Sequence, residues 1–178
     1  MNYKPIIVIA GEPYSVFLEI FFKAKKYNKF KKPIILIVSK KLLQQQMKKM
    51  NYNFEINSID KNKINNYKFN NKKINIINVN FEFTKTFDKI SNKSNTYITE
   101  CFKIGLKTVK ENKCSGLING PISKKNFLKR SFLGITEYLA NKTNKNNKVS
   151  MLIYNKKLSV SPITTHLPLK KVHKYLSK

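Results

Sequence analysis

Apolar residues along this chain cluster into short uninterrupted runs, separated by longer stretches in which they recur every three or four positions. Pro5–Ala10 (Pro-Ile-Ile-Val-Ile-Ala) and Ile34–Val38 are continuous apolar runs, the pattern of strands covered on both faces. Ile74–Val79 and the short segments Phe54–Ile56 and Leu117-Ile118 read as further strands. Between them the period changes. After the break at Gly11-Glu12-Pro13, Val16, Leu18, Ile20, Phe21 and Ala24 predict the inner side of a helix, with Lys23, Lys25 and Lys26 outside. Ser39 is placed to cap a second helix running to about Lys49, with Leu42, Leu43, Met47 and Met50 inward. Ser94 or Asn95 opens a long helix to about Asn112, striped by Ile98, Phe102, Leu106 and Val109. Residues 60–95 form a polar excursion rich in Asn and Lys, in which Phe81, Phe83 and Phe87 are expected to pin the later part.

Towards the C-terminal end, Thr136 is expected to cap a short helix carrying Tyr138, Leu139 and Ala140. Val149–Tyr154 and Leu158–Ile163 are joined by Asn155-Lys156-Lys157, a hairpin-length link. Pro168 is expected to start a final helix, with Leu169, Val172 and Leu176 at helical spacing. Strands alternating with helical segments predict the α/β class: a mainly parallel sheet flanked by helices, with a local antiparallel strand pair. Residues 1–178 read as a single α/β unit, and no repeat or Pro/Ser-rich linker divides them.

Charge changes this picture less than its size suggests. The formal net charge is +27, but Arg130 is the one arginine among 36 basic residues. Bidentate recognition of phosphates and guanines favours arginine. The lysines are spread among asparagines and isoleucines, the residue types that AT-rich codons supply. Specific nucleic-acid binding is therefore not expected. No apolar run approaches the roughly 20 residues that cross a bilayer, and the N-terminus carries no signal-peptide pattern, so a cytoplasmic protein with no membrane partner is expected. Cys101 and Cys114 have no metal-type or CxxC spacing and are expected to be buried free thiols.

In parallel sheets ligands sit outside the carboxyl ends of strands. Three predicted strand ends carry unusual residues: Gly11-Glu12-Pro13, Gly120-Pro121-Ile122-Ser123-Lys124, and Thr164-Thr165-His166. Gly120 allows close backbone approach, Pro121 keeps Gly120 out of the helical region, and Ser123 is expected to cap a helix whose first turn holds Lys124. That combination could receive an anion, although an ordinary loop with a solvated lysine would carry the same letters. His166, between a strand end and a helix start, could act as a metal ligand or an acid/base group. His173 is two helical turns further on and is expected to serve packing or the surface.

Taken together, these segments resemble the PdxA family, the 4-hydroxythreonine-4-phosphate dehydrogenases of vitamin B6 (pyridoxal phosphate) synthesis. Gly11-Glu12-Pro13 followed by Glu19 looks like the family's opening motif, and Gly120–Lys124 like its Gly-Pro-Ile-x-Lys. Gly134-Ile135-Thr136-Glu137 matches Gly-His-Thr-Glu except at Ile135, and Thr164–Leu169 reproduces Thr-Thr-His-Leu-Pro-Leu. The resemblance implies a fold like the isocitrate and isopropylmalate dehydrogenases, with this chain corresponding to the N-terminal part of a two-lobed homodimer. It implies NAD-dependent oxidation and decarboxylation of a small phosphorylated substrate, 4-phosphohydroxy-L-threonine, with a divalent metal such as zinc, magnesium or cobalt. It assigns His166 to the metal, Thr136 to the substrate and Lys124 to the catalytic centre, and it leaves the cofactor-binding residues unassigned. Ile135 and the short length also allow an alternative, a truncated non-catalytic α/β remnant that binds a phosphorylated metabolite or a partner chain.

Overall fold

The computed structural model describes residues 4–129, 131–145, 149–164, 167–174 and 176. They fall into two compact units, Met1–Phe127 and Leu128–Lys178. The first unit is built on a five-stranded sheet. Its strands are β1 (Ile6–Ile9), β2 (Ile34–Val38), β3 (Ile56–Ser58), β4 (Ile74–Asn78) and β5 (Gly116–Asn119). Their spatial order is β3-β4-β2-β1-β5, and every pairing is parallel. Such a sheet needs cover on both faces. Helices α1 (Phe17–Tyr27) and α2 (Lys40–Lys49) contact each other, and α3 (Asn95–Lys110) packs on β1, β2 and β5.

Strand alternation divides the core into two layers. Val8, Ala10, Leu36, Val38, Ile74 and Ile76 join Leu18, Phe21 and Phe22 of α1 and Leu43 and Met47 of α2 in one cluster. Ile9 of β1 and Leu117 of β5 point the other way, towards Gly105 of α3, where a Cβ would come within 2.8 Å of Ile9 Cδ1 and 3.0 Å of Leu117 Cδ1. Glycine at this position lets α3 lie against the sheet.

Local chemistry fixes the ends of the elements. The Ser39 hydroxyl accepts from the Leu42 N–H at 3.4 Å, as expected for an N-cap. At the other end of α2, Asn51 has φ 56° and the Tyr52 N–H donates to Met47 O at 3.0 Å. The same left-handed closure recurs at Asn112 after α3 (φ 54°) and at Asn144 after α4 (Ile135–Lys142), with φ 56°. Asparagine here takes the role usually given to glycine.

Some expectations fail for physical reasons. The buried stripe of α1 is Leu18, Phe21 and Phe22, whereas Val16 and Ile20 are 61% and 57% exposed. Phe22 is the larger anchor, ring-packed near Tyr52 and Phe54, and it sets the rotation of the helix. Phe81 is buried and ring-packed on Tyr97, but Phe87 is exposed.

The second unit holds α4, the antiparallel pair β6 (Ile153–Tyr154) and β7 (Ser159–Val160), and a 3-10 helix at Leu169–Lys174. The cap of α4 is Gly134, two positions ahead of the expected Thr136, which lies inside the helix. The hairpin is a separate two-stranded ribbon, only two residue pairs long. Its apolar side chains are largely exposed, since two strands alone cannot bury them. The final segment forms 3-10 turns rather than the predicted α-helix, with Leu169 exposed.

Candidate functional site

Every strand of the main sheet runs the same way, so the residues following β1, β2, β4 and β5 share its carboxyl rim. β1 is flanked by β2 on one side and by β5 on the other. The chain leaves β1 through α1 and reaches β5 through α3, on opposite faces of the sheet. The strand order therefore reverses between β1 and β5, where open α/β sheets leave a crevice for ligands.

The two turns at that crevice are the glycine turns Gly11–Pro13 and Gly120–Lys124, and they interlock. The Gly120 N–H donates to Ile9 O at 2.7 Å, and the Glu12 N–H donates to Pro121 O at 2.9 Å. Gly11 adopts φ +77°, and a Cβ there would collide with the Pro121 carbonyl oxygen; one on Gly120 would collide with the Ala10 carbonyl oxygen. Both glycines are demanded by backbone crossing backbone. The turn at β5 is shorter than expected. Ser123 does cap it: its Oγ accepts from the Asn126 N–H at 3.0 Å and its carbonyl accepts from the Phe127 N–H at 2.9 Å. However, the predicted helix stops after this single turn, before Lys129 in the left-handed region at φ 48°. Lys124 is exposed at the head of the turn.

Glu12, in the first of these turns, is only 3% exposed and reaches the second through its side chain. Its Oε2 lies within hydrogen-bond distance of Ser94 Oγ, at 2.9 Å, and its Oε1 accepts from the Ser123 N–H at 3.3 Å. Burial pushes its pKa above the ordinary carboxyl range, and the bonds from Ser94 and Ser123 offset this in part. Ser94 stands at the N-cap position of α3, as expected, but its hydroxyl makes no cap bond and lies against Glu12 and the Ser91 carbonyl instead. A second buried polar group supports the same loop. Gln46 of α2 is 1% exposed, and its Nε2 donates to Pro13 O at 3.0 Å and to Thr86 O at 2.9 Å. Neither role shows in the letters: Ser94 has the look of a routine cap, and Gln46 follows two other glutamines in the sequence.

In the second unit, Thr136 lines a cavity of about 580 Å³ with Phe132, Glu137, Asn141, Met151 and Pro162. Its size suits a small metabolite. His166 and Thr165 lie outside the described residues. Among the described residues no three histidine, cysteine or carboxylate side chains converge to hold a metal ion. The donors a catalytic divalent metal requires are thus not assembled from these residues. No described helix is long and apolar enough to cross a membrane. Cys101 and Cys114 are both buried and free, as expected.

Known proteins share both the sequence pattern and the fold. The family model described as "Pyridoxal phosphate biosynthetic protein PdxA" matches residues 29–178. A 4-hydroxythreonine-4-phosphate dehydrogenase of Sulfurihydrogenibium sp. (strain YO3AOP1) is 30% identical over 97% of this chain and 53% of its own length. The enzyme of that name from Colwellia psychrerythraea is 24% identical over 97% of this chain and 52% of its own. The chain thus spans about half the length of the curated relatives it matches. The crystal structure of a 4-hydroxythreonine-4-phosphate dehydrogenase from Burkholderia phymatum has the same fold, with TM-score 0.82 and 19% identity over 98% of this chain and 53% of that one.

Proposed function

The chain belongs to the PdxA family of pyridoxal phosphate biosynthetic proteins, and from that premise we propose that it serves, as a cytoplasmic homodimer, the NAD-dependent oxidation and decarboxylation of 4-phosphohydroxy-L-threonine. The observation that carries this reading is the pair of interlocked turns, Gly11–Pro13 and Gly120–Lys124, at the β1–β5 reversal. That is where an α/β sheet of this order leaves room for a ligand.

The substrate dictates the chemistry. Its hydroxyl is β to the carboxylate, so loss of a hydride from carbon and a proton from oxygen leaves a β-keto acid. Carbon dioxide then departs, and the electron pair of the broken bond is held on the ketone oxygen as an enolate until a proton is returned. NAD, when bound, supplies the acceptor for the hydride. In this reading the Lys124 ammonium donates a hydrogen bond to the oxygen on which negative charge develops, which favours the transition state over the ground state. The Thr136 hydroxyl orients the substrate by hydrogen bonding. His166 is the proposed ligand of a divalent metal. Among the described residues no set of metal donors gathers to join it.

Turnover is the test. The 178-residue chain, supplied with 4-phosphohydroxy-L-threonine, NAD and zinc, magnesium or cobalt, should reduce NAD, and Lys124→Ala should lower kcat about a hundredfold or more. Ile135, where the family motif has a histidine, favours a second reading, a binding unit without catalysis. Saturable binding of the substrate with no NAD reduction would select that reading.

A further inference from the structure

We propose that Glu12 is a positioning residue that clasps the Gly120–Lys124 turn to the end of β1, and that it does so as an uncharged acid sharing its proton with Ser94. Three oxygens lie in a row. Ser94 Oγ lies 2.9 Å from Glu12 Oε2 and 2.9 Å from Ser91 O. A serine hydroxyl has one proton to give and two lone pairs with which to accept. The Ser91 carbonyl can only accept. Two full hydrogen bonds along this row therefore need two protons, and the hydroxyl provides only one. A proton on Glu12 Oε2 completes the set: the acid donates to Ser94 Oγ, and the hydroxyl donates onward to Ser91 O.

The other side of the carboxyl group fits the same state. Oε1 is then the carbonyl oxygen of a neutral acid, accepting the Ser123 N–H at 3.3 Å, a long bond for a charged acceptor. Glu12 is only 3% exposed, so a charge there would be poorly solvated. Burial is the largest influence on its proton affinity and raises it, the uncharged partners Ser94 and Ser123 oppose burial in part, and no charged side chain is among the causes.

The clasp joins three elements that only the fold brings together: the turn after β1, the 3-10 turn Asn92–Ser94 at the start of α3, and the turn after β5. Its consequence is positional. Ser123 precedes Lys124 and also caps the turn through Asn126, so fixing the Ser123 amide fixes the direction in which the lysine leaves the rim. This deepens the proposed site, but its test uses no turnover and so fails or succeeds independently of the dehydrogenase reading.

The experiment is carboxyl and amide NMR on the isotope-labelled 178-residue chain and its Glu12→Gln and Glu12→Ala variants. Followed against pH, the Glu12 carboxyl carbon should change from acid to carboxylate at a midpoint above that of glutamate in a peptide. The Ser123 amide proton should shift with the same midpoint as that carbon, and this titration should vanish in Glu12→Gln. Glutamine mimics the neutral acid, accepting from Ser123 and donating to Ser94, so its Ser123 amide should exchange within about twofold of the original rate. In Glu12→Ala exchange should be roughly tenfold faster, as expected for one lost hydrogen bond. A Glu12 midpoint at or below that of peptide glutamate, or equal loss of Ser123 protection in Gln and Ala, would overturn the proposal. If the alanine variant does not fold, the carboxyl signal and the glutamine variant still decide it.

Discussion

Replacing Gln46 by Leu tests whether the loop behind Glu12 is held by buried hydrogen bonds or only by packing. Leucine has nearly the shape of glutamine and sits well in a helix, so α2 itself should persist. What disappears is the amide that donates to Pro13 O at 3.0 Å and to Thr86 O at 2.9 Å. A buried acceptor left without a donor costs about 1–3 kcal/mol. The bond to Pro13 is buried and should carry the full cost, whereas the bond to Thr86 is only partly buried and water can replace some of it. Burial of the extra apolar surface in leucine offsets part of the sum, leaving a net loss of roughly 2 kcal/mol. For a chain of 178 residues that lowers Tm by about 4–8 °C. Urea unfolding followed by circular dichroism gives the free energy, and an unchanged m-value would show that the unfolding transition is otherwise the same. Gln44→Leu is the control, because Gln44 is exposed on the same helix and the change should stay within about 0.5 kcal/mol. A Gln46→Leu chain as stable as the original, or more stable, would show that the two carbonyls find water or need no donor, and buried hydrogen bonding would not be what holds this loop.

Three further outcomes are expected. Glu12 has a folded pKa raised above 4.5 by burial, so its contribution to stability is full below that value and declines as pH rises towards the folded pKa; urea midpoints of the original chain should fall relative to Glu12→Gln over that window, and a constant difference would refute the shift. Asn112 closes α3 at φ 54°, with the Lys113 N–H donating to Thr108 O at 3.1 Å; Asn112→Ala should cost roughly 1 kcal/mol in thermal or urea unfolding while Asn112→Gly costs less, and an alanine as good as glycine would contradict the left-handed cap. Burial pushes the Cys101 thiol up to about 12, so mass spectrometry after alkylation at neutral pH should find it unmodified in the folded chain and modified in urea; rapid labelling of the folded chain would show that α3 opens or that the thiol is accessible.

The strands of the first unit are legible in the sequence because they are buried on both faces, and a continuous apolar run such as Pro5–Ala10 fits a doubly covered strand better than any amphipathic element. The glycines of the two rim turns are legible too, since Gly11-Glu12-Pro13 and Gly120-Pro121 interrupt those runs abruptly. Strand order is not written in periodicity, so the reversal between β1 and β5, which makes neighbours of turns more than a hundred residues apart, becomes visible only in the fold. Periodicity misplaces the rotation of α1 because Val16 and Ile20 satisfy helical spacing as well as Phe22 does, and the aromatic cluster with Tyr52 and Phe54 decides between them. The exposed ribbon at Ile153–Val160 shows the opposite error: its apolar runs look like those of the core, but two paired strands alone cannot bury them. Helix ends at Asn51, Asn112 and Asn144 carry no glycine signal, in a chain with only five glycines and abundant asparagine. Hydrogen-bonding roles such as those of Gln46 and Ser94 depend on partners distant in sequence, and no local pattern announces them.

The claim that the interlocked turns form a ligand site is most directly tested by titrating the isotope-labelled chain with 4-phosphohydroxy-L-threonine and following backbone amides. Saturable shifts are predicted at Glu12, Ser123 and Lys124, together with loss of the Ser123 response in Lys124→Ala. Shifts confined to exposed lysines elsewhere, growing linearly and abolished by modest salt, would show only non-specific attraction of an anion to a basic chain and would contradict a site at these turns.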